Sequence, residues 1–288
     1  MAPPASPPHA DPGFDRFGPV DSRSPVVLSV PHAGRAYPQA LIDAIRVPLA
    51  ALLPLEDRHV DSIAHAAHQD EALLVARRPR AWIDMNRSEQ ERDPRIDDGA
   101  SAKAMPAMSA RLRGGLGLVP RRAGASGEFW ARRLGADEVM ARIVADHRPY
   151  HRALADALAA ARSRFGGAIL IDVHSMPSLG GVDAAQIVIG DRFGRSAAAR
   201  LTGLVDWHAR AAGLRTALNA PYAGGYILDA HADPARDVHA IQIEFDRALY
   251  LDPATMEATA GVQRLGGLLR TIIAALAADL APLATAAE

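Results

Sequence analysis

The chain has 288 residues, 49% of them hydrophobic and 23% charged. At about 150 residues per domain, that composition describes one large or two small globular cores and excludes a disordered or fibrous chain. Its 32 basic residues balance 33 acidic ones, which argues against a general nucleic-acid binder, and the lack of cysteine removes disulfides, thiolate metal sites, iron–sulfur clusters and cysteine nucleophiles.

Residues 1–23 are rich in proline and small residues, and a disordered or extended tail is expected there. They lack the basic and apolar regions of a signal peptide, so a cytoplasmic location is expected. Residues 24–288 are expected to form a single α/β domain. The run Pro25 to Val30 is short, β-branched and apolar, and ends in Pro31-His32-Ala33-Gly34. It predicts a buried strand entering a loop. Helical spacing follows over 39–48 and 59–69. Leu73 to Ala76 and Ala81 to Met85 predict two short strands around the basic turn Arg77 to Arg80. Residues 88–127 have weak periodicity and predict a long loop or excursion, which at that length is functional or disordered. The one lysine, Lys103, lies in it, in a poor setting for a Schiff base.

Residues 128–163 predict helix, broken or restarted at Pro149. Ala168 to His174 is an apolar strand with polar residues at its end, and Ile187 to Gly190 is another. A helix over 195–212 should stop at Gly213. Ala240 to Phe245 predicts a late strand, and 254–281 a long alanine-rich helix. Continuous apolar strands alternating with helices imply an α/β fold, with a mixed, mostly parallel sheet covered by helices on both faces. No run of about 18 apolar residues exists, so no membrane span is expected.

In such sheets, ligands gather beyond the carboxyl ends of strands. Polar residues of one chemical type cluster at those ends: His32, then Asp172 and His174, then Glu244. Asp57, His59 and Asp61 lie between the first two strands. Two imidazoles and a carboxylate form a catalytic zinc set with one position left for water, and a separate glutamate can take that water's proton. Each residue also has a plainer explanation. His32 could be an ordinary loop residue. Glu244 between Ile243 and Phe245 could be a buried ion pair with an arginine, since a lone carboxylate there costs several kcal/mol. Arg87, just past a strand end, could clamp a substrate carboxylate or an oxyanion, or lie on the surface. Asn86 could add an amide donor. Gly224 and Gly225 could admit a ligand close to the backbone, or make a tight turn. The remaining histidines, His147, His151 and His231 among them, are taken as surface or packing residues. A Walker lysine and a Gly-x-Ser-x-Gly elbow are both missing, which disfavours phosphate cradling and serine hydrolysis.

Six segments in order resemble the N-formylglutamate amidohydrolase family: Ser29 to Gly34, Asp57 to Asp61, Asp84-Met85-Asn86-Arg87, Asp172 to Met176, Pro221 to Tyr226 and His239 to Glu244. They run from about residue 24 to 252. The resemblance implies a fold like that of zinc carboxypeptidases and aspartoacylase. It also implies hydrolysis of N-formyl-L-glutamate, a small anionic N-acyl amino acid, late in histidine breakdown. It gives His32 and His174 as zinc ligands and Glu244 as the group that activates water. The compact His-x-x-Glu of carboxypeptidases is missing, because position 35 is Arg35. The third ligand must then come from Glu56 to Asp61, with Asp61 favoured, Asp57 next and Glu56 third. Arg87 is expected in catalysis. Asn86, Arg87, Ser175, Tyr222, Gly224 and Gly225 are expected to bind substrate. Zinc suits two histidines and a carboxylate, with cobalt or iron as alternatives. Competing readings are a related zinc deacylase or carboxypeptidase acting on another N-acyl amino acid or small peptide, and a non-catalytic binder on the same fold.

Overall fold

Apolar runs build the centre of a seven-stranded sheet. The computed structural model describes residues 13–100, 110–124 and 127–285. The strands are β1 (Phe14–Phe17), β2 (Val26–Val30), β3 (Ala72–Ala76), β4 (Ala168–Met176), β5 (Ile187–Gly190), β6 (Thr216–Leu218) and β7 (Val238–Asp246). Their order across the sheet is β1-β3-β2-β4-β7-β5-β6. β3, β2, β4 and β7 are mutually parallel, β1 is antiparallel to β3, and β5 is antiparallel to β7 and parallel to β6. This is the mixed, mostly parallel α/β sheet expected.

The helices are α1 (Gln39–Ile42), α2 (Val60–Ala67), α3 (Ala110–Arg113), α4 (Ala136–Arg142), α5 (Arg148–Phe165), α6 (Ala199–Ala211), α7 (Tyr226–His231) and α8 (Gly261–Thr285). They cover both faces. Side chains alternate along each strand, so Val26, Leu28, Val30, Ile169, Ile171, Val173, Ile241 and Ile243 pack one way, against α2, α6 and α8. Val27, Leu170 and Ala240 pack the other way, against Tyr150 and Leu154 of α5 and against Leu118, Phe129 and Trp130. Each fully buried aliphatic side chain contributes about 1.5–3 kcal/mol. By the same period of two, Ser29, Asp172, His174, Gln242 and Glu244 belong to the α5 side. Toward the strands' carboxyl ends that face turns polar while the opposite face stays apolar. Among the described residues no helix is long and apolar enough to cross a membrane.

Several expectations need correction. Ordered structure starts before Ser24, because Phe14–Phe17 pairs along β3 as an edge strand. β1 and β6 are largely exposed or half-buried, so neither leaves an apolar run to read. Residues 81–85 are turns and not a strand: the Asp84 amide donates to the Leu118 carbonyl at 2.7 Å, and the Trp82 amide to the Pro79 carbonyl at 2.8 Å. The helix expected over 39–48 stops at Ile42, and Ile45 instead bridges to Trp130. Pro48 disfavours helical geometry in the residue before it. Residues 128–135 are likewise not helical. Beyond them, α4 and α5 join through a π turn at Ile143–His147, and the Arg148 amide reaches back five residues to the Ile143 carbonyl. Pro149 then follows directly on this wider turn, which accommodates a residue with no N–H to donate inside a continuous helix. Gly213 ends α6 with φ of +79° as expected.

Apart from α3, the described residues of the 88–127 excursion are irregular, as read. Its second half is packed: Leu112, Leu118 and Val119 are buried, and Arg121 pairs with Asp93 at 2.7 Å. Lys103 and His9 lie outside the described residues, as do residues 101–109 and 125–126 of the excursion.

Candidate metal centre and active site

The end of β2 delivers His32, and the end of β4 delivers His174. Asp57 comes from the turn before α2. That turn is anchored on the loop after β2, since the Asp57 amide donates to the His32 carbonyl at 3.0 Å. His59 adopts a left-handed conformation, φ +59°, and the helix begins at Val60. The result brings one carboxylate oxygen to both imidazoles. Asp57 Oδ2 lies 3.0 Å from His174 Nδ1 and 3.6 Å from His32 Nδ1. Ligand atoms of the three residues all fall within 4.8 Å of one another, and this is the one such cluster among the described residues.

The other imidazole nitrogens face buried carboxylates. His32 Nε2 is 2.7 Å from Asp84 Oδ1, and His174 Nε2 is 2.8 Å from Asp172 Oδ2. A carboxylate accepts, so each Nε2 carries a proton, and this is how carboxylate partners orient metal-binding histidines. Nδ1 of His174 also lies against a carboxylate, Asp57 Oδ2, and an ion bound there would take the place of the Nδ1 proton and receive the lone pair. The donor set therefore fits a divalent ion. Asp57 Oδ1 is occupied by Arg247 Nη2 at 3.0 Å, leaving Oδ2 for the histidines.

Glu244 stands beside His174 in the β4–β7 register. It is 8% exposed, and its Oε1 accepts from Gln242 Nε2 at 2.9 Å. Burial, with Asp57 and Asp172 adding to it against His174 and Arg80, pushes its carboxyl up to about 7. Burial also works to raise Asp57, but the hydrogen bonds and charges of His174 and His32 hold it well below the usual carboxylate range. Asp84 is held low in the same way, by Arg80, Arg87 and His32 against burial. For His174, burial opposes the charged form, and Asp172, Asp57 and Glu244 outweigh it and raise its pKa. A proton and a metal ion would thus compete at this imidazole.

These groups open onto a cavity of about 310 Å³. His32, Asp57, His174 and Glu244 meet Arg80, Arg87, Arg111 and Arg247 on its walls, with Ser175 and Tyr222. The sequence profile of the N-formylglutamate amidohydrolase family matches residues 24–251. The chain is 31% identical over 239 residues to an N-formylglutamate deformylase of Pseudomonas putida, covering 80% of this chain and 83% of that one. It is 28% identical over 241 residues to one of Pseudomonas aeruginosa, at the same coverage of 80% and 83%. A crystal structure of N-formylglutamate amidohydrolase from Ralstonia eutropha JMP134 superposes with a TM-score of 0.85 at 31% identity, covering 93% of this chain and 98% of that one. The chain belongs to the N-formylglutamate amidohydrolase family.

Within this member of the N-formylglutamate amidohydrolase family, most residues read from the sequence come together, and some do so with a different role. Asp61 does not join the metal cluster. It sits in the first turn of α2 and pairs with Arg35, at 2.7 Å from Nη2 and 3.2 Å from Nη1. Asp57 takes the place expected of it, because the left-handed turn at His59 separates the two carboxylates. Glu56 bonds Tyr37 and Arg58 instead. Arg87 is 3% exposed and lines the cavity, held by the Leu116 carbonyl at 2.8 Å and the Asn86 carbonyl at 2.6 Å. Burial pushes its pKa down to about 10, which leaves it charged at neutral pH. The Asn86 amide is already engaged: Oδ1 accepts from the Ile227 amide at 2.8 Å, and Nδ2 donates to Asp172 Oδ2 at 3.3 Å. Gly225 makes its close approach to Asn86 and not to the cavity. A Cβ there would fall 2.3 Å from Asn86 Oδ1. The Gly224 carbonyl accepts from Arg111 Nη2 at 3.2 Å, and Ser175 Oγ from Arg247 Nε at 3.2 Å.

Sequence reasoning missed Arg80, Arg111 and Arg247. It also took His147 and His151 as background. His147 Nε2 donates to the Arg87 carbonyl at 2.8 Å, and His151 Nε2 to the Met85 carbonyl at 2.9 Å. His151 Nδ1 then accepts from His231 Nε2 at 2.8 Å. The end of the π turn and the first turn of α5 thereby pin the Met85–Arg87 segment. Spacing was the available signal, since positions 147 and 151 share one helix face.

Burial, with neighbouring histidines adding to it, pushes His151 down to about 2, and burial pushes His231 down to about 4. Both stay neutral when folded, whereas an unfolded histidine protonates near 6.5. The stability they contribute is present above that value and is lost as pH falls below it. His151→Gln should shrink the loss of unfolding free energy between about pH 7 and pH 5 by about 2 kcal/mol, read from urea unfolding at the two pH values. An unchanged loss would rule out a buried neutral His151.

Proposed function

We propose that this chain hydrolyses N-formyl-L-glutamate to formate and L-glutamate, with zinc held by His32, Asp57 and His174. Cobalt or iron would suit the same donors. The observation that carries this reading is one cavity holding the three converging donors, the buried carboxylate of Glu244 and a set of arginines suited to an anion. The bound ion would supply a Lewis acid and an acidified water. Glu244 takes the proton of the attacking water and passes it to the leaving amine nitrogen. Its raised pKa suits it to both transfers. Arg87 offers a fixed guanidinium to the substrate's α-carboxylate. Asn86 braces His174's partner Asp172, and Ser175 braces Arg247. Tyr222 lines the same cavity. The matching setting is histidine breakdown in the cytoplasm.

The test is formate release by zinc-loaded protein from N-formyl-L-glutamate, with N-acetyl-L-glutamate and small peptides as comparisons. Formate release should exceed acetate or amino-acid release by a wide margin. Faster cleavage of acetyl or peptide substrates would replace this reading with a deacylase or a carboxypeptidase.

A further inference from the structure

Four arginines line the cavity, and three already have partners that fix them. Arg80 Nε is 2.8 Å from Asp84 Oδ2. Arg247 Nη2 bonds Asp57 Oδ1 at 3.0 Å and the Glu56 carbonyl at 2.6 Å. Arg87 bonds two carbonyls and has Asp84 Oδ2 at 3.7 Å, a carboxylate it shares with Arg80. Arg111 differs. Its partner among the described residues is the Gly224 carbonyl at 3.2 Å, a neutral acceptor. No described carboxylate pairs with it.

Its place in the fold is equally distinct. Arg80 and Arg87 flank the Asp84 turn on the inner wall. Arg111 arrives on α3 from the excursion and meets the Pro221–Gly225 loop, which also carries Tyr222. It therefore stands where two loops join over the same cavity. Its charge reaches Arg87, whose pKa it helps to lower. The wall thus holds more positive charge than its own carboxylates balance.

Building on the function proposed above, we infer that Arg111 reads the side-chain carboxylate of the substrate and makes the chain selective for N-acyl derivatives of acidic amino acids. A substrate with two carboxylates gives Arg87 and Arg111 one partner each. A neutral side chain leaves the Arg111 guanidinium partly desolvated and without a charged partner. That loss is how a site rejects an analogue lacking a polar group it expects. A charge-assisted hydrogen bond of this kind corresponds to about 10- to 100-fold in affinity.

The experiment compares N-formyl-L-glutamate with its neutral isostere N-formyl-L-glutamine, in wild type, R111K and R111Q. The readout is the ratio of kcat/KM for the two substrates, split into kcat and KM. In wild type the ratio should favour glutamate by about 10- to 100-fold. In R111Q it should fall by at least about tenfold, through a higher KM for the glutamate substrate, and R111K should recover part of it. Equal losses on both substrates would overturn the inference and leave Arg111 as a tie between the excursion and Gly224. A wild-type protein that releases no formate from either substrate overturns the hydrolase reading itself, and this inference with it.

Discussion

Glu244→Gln is expected to lower kcat by roughly 10²- to 10⁴-fold while the protein keeps its metal. The substitution keeps the shape of the side chain and a hydrogen-bond acceptor for Gln242, whose Nε2 lies 2.9 Å away. It removes the group that takes a proton. Formate release measures the loss, and elemental analysis of the same sample measures the metal. Turnover within tenfold of wild type would remove Glu244 as the base. The wild-type pH profile should carry the same signature. The base works deprotonated, and burial pushes its carboxyl up to about 7. kcat/KM should therefore fall on the acid side, with the fall at or below that value, because a bound cation stabilises the carboxylate.

The second large effect separates two aspartates four positions apart. Asp57→Ala should lose the metal and, with it, activity. Orienting partners alone are worth about 10- to 100-fold in metal affinity, and a direct ligand is worth more. Asp61→Ala should bind metal normally, because its carboxylate faces Arg35. Titration against a chelator gives the two dissociation constants. Normal affinity in Asp57→Ala together with weakened affinity in Asp61→Ala would restore the assignment drawn from the sequence. Asp57→Ala also strips Arg247 of its carboxylate, so urea unfolding should accompany the titration. Asp57→Asn keeps the shape and the contact to Arg247, which separates lost ligation from lost folding.

The central strands were legible because each is a short apolar run, and such runs fit only a sheet covered on both faces. His32, His174 and Glu244 were legible for the same reason, as polar groups at the ends of those runs. The choice between Asp57 and Asp61 was not. It depends on one left-handed residue, His59, whose φ of +59° no local pattern announces in a histidine. The arginines were hidden by abundance. Almost every cation in the chain is arginine, so Arg80, Arg111 and Arg247 looked like the rest until the fold placed them on one cavity. His147 and His151 were readable by helical spacing, but their targets are backbone carbonyls at and just past a turn that reads as a strand in the sequence.

One carboxylate links the two halves of this site. Asp84 accepts from His32, from Arg80 and from the Asn86 backbone N–H, and it is fully buried. The group that sets the tautomer of a proposed metal ligand is therefore also the counter-ion of the proposed anion-binding wall. Binding at either half is thermodynamically linked to the other: whatever factor a substrate anion applies to metal affinity, the metal applies to the anion. Substitutions at His32 and Arg80 should accordingly fail to add in a double-mutant cycle, since both side chains bond Asp84.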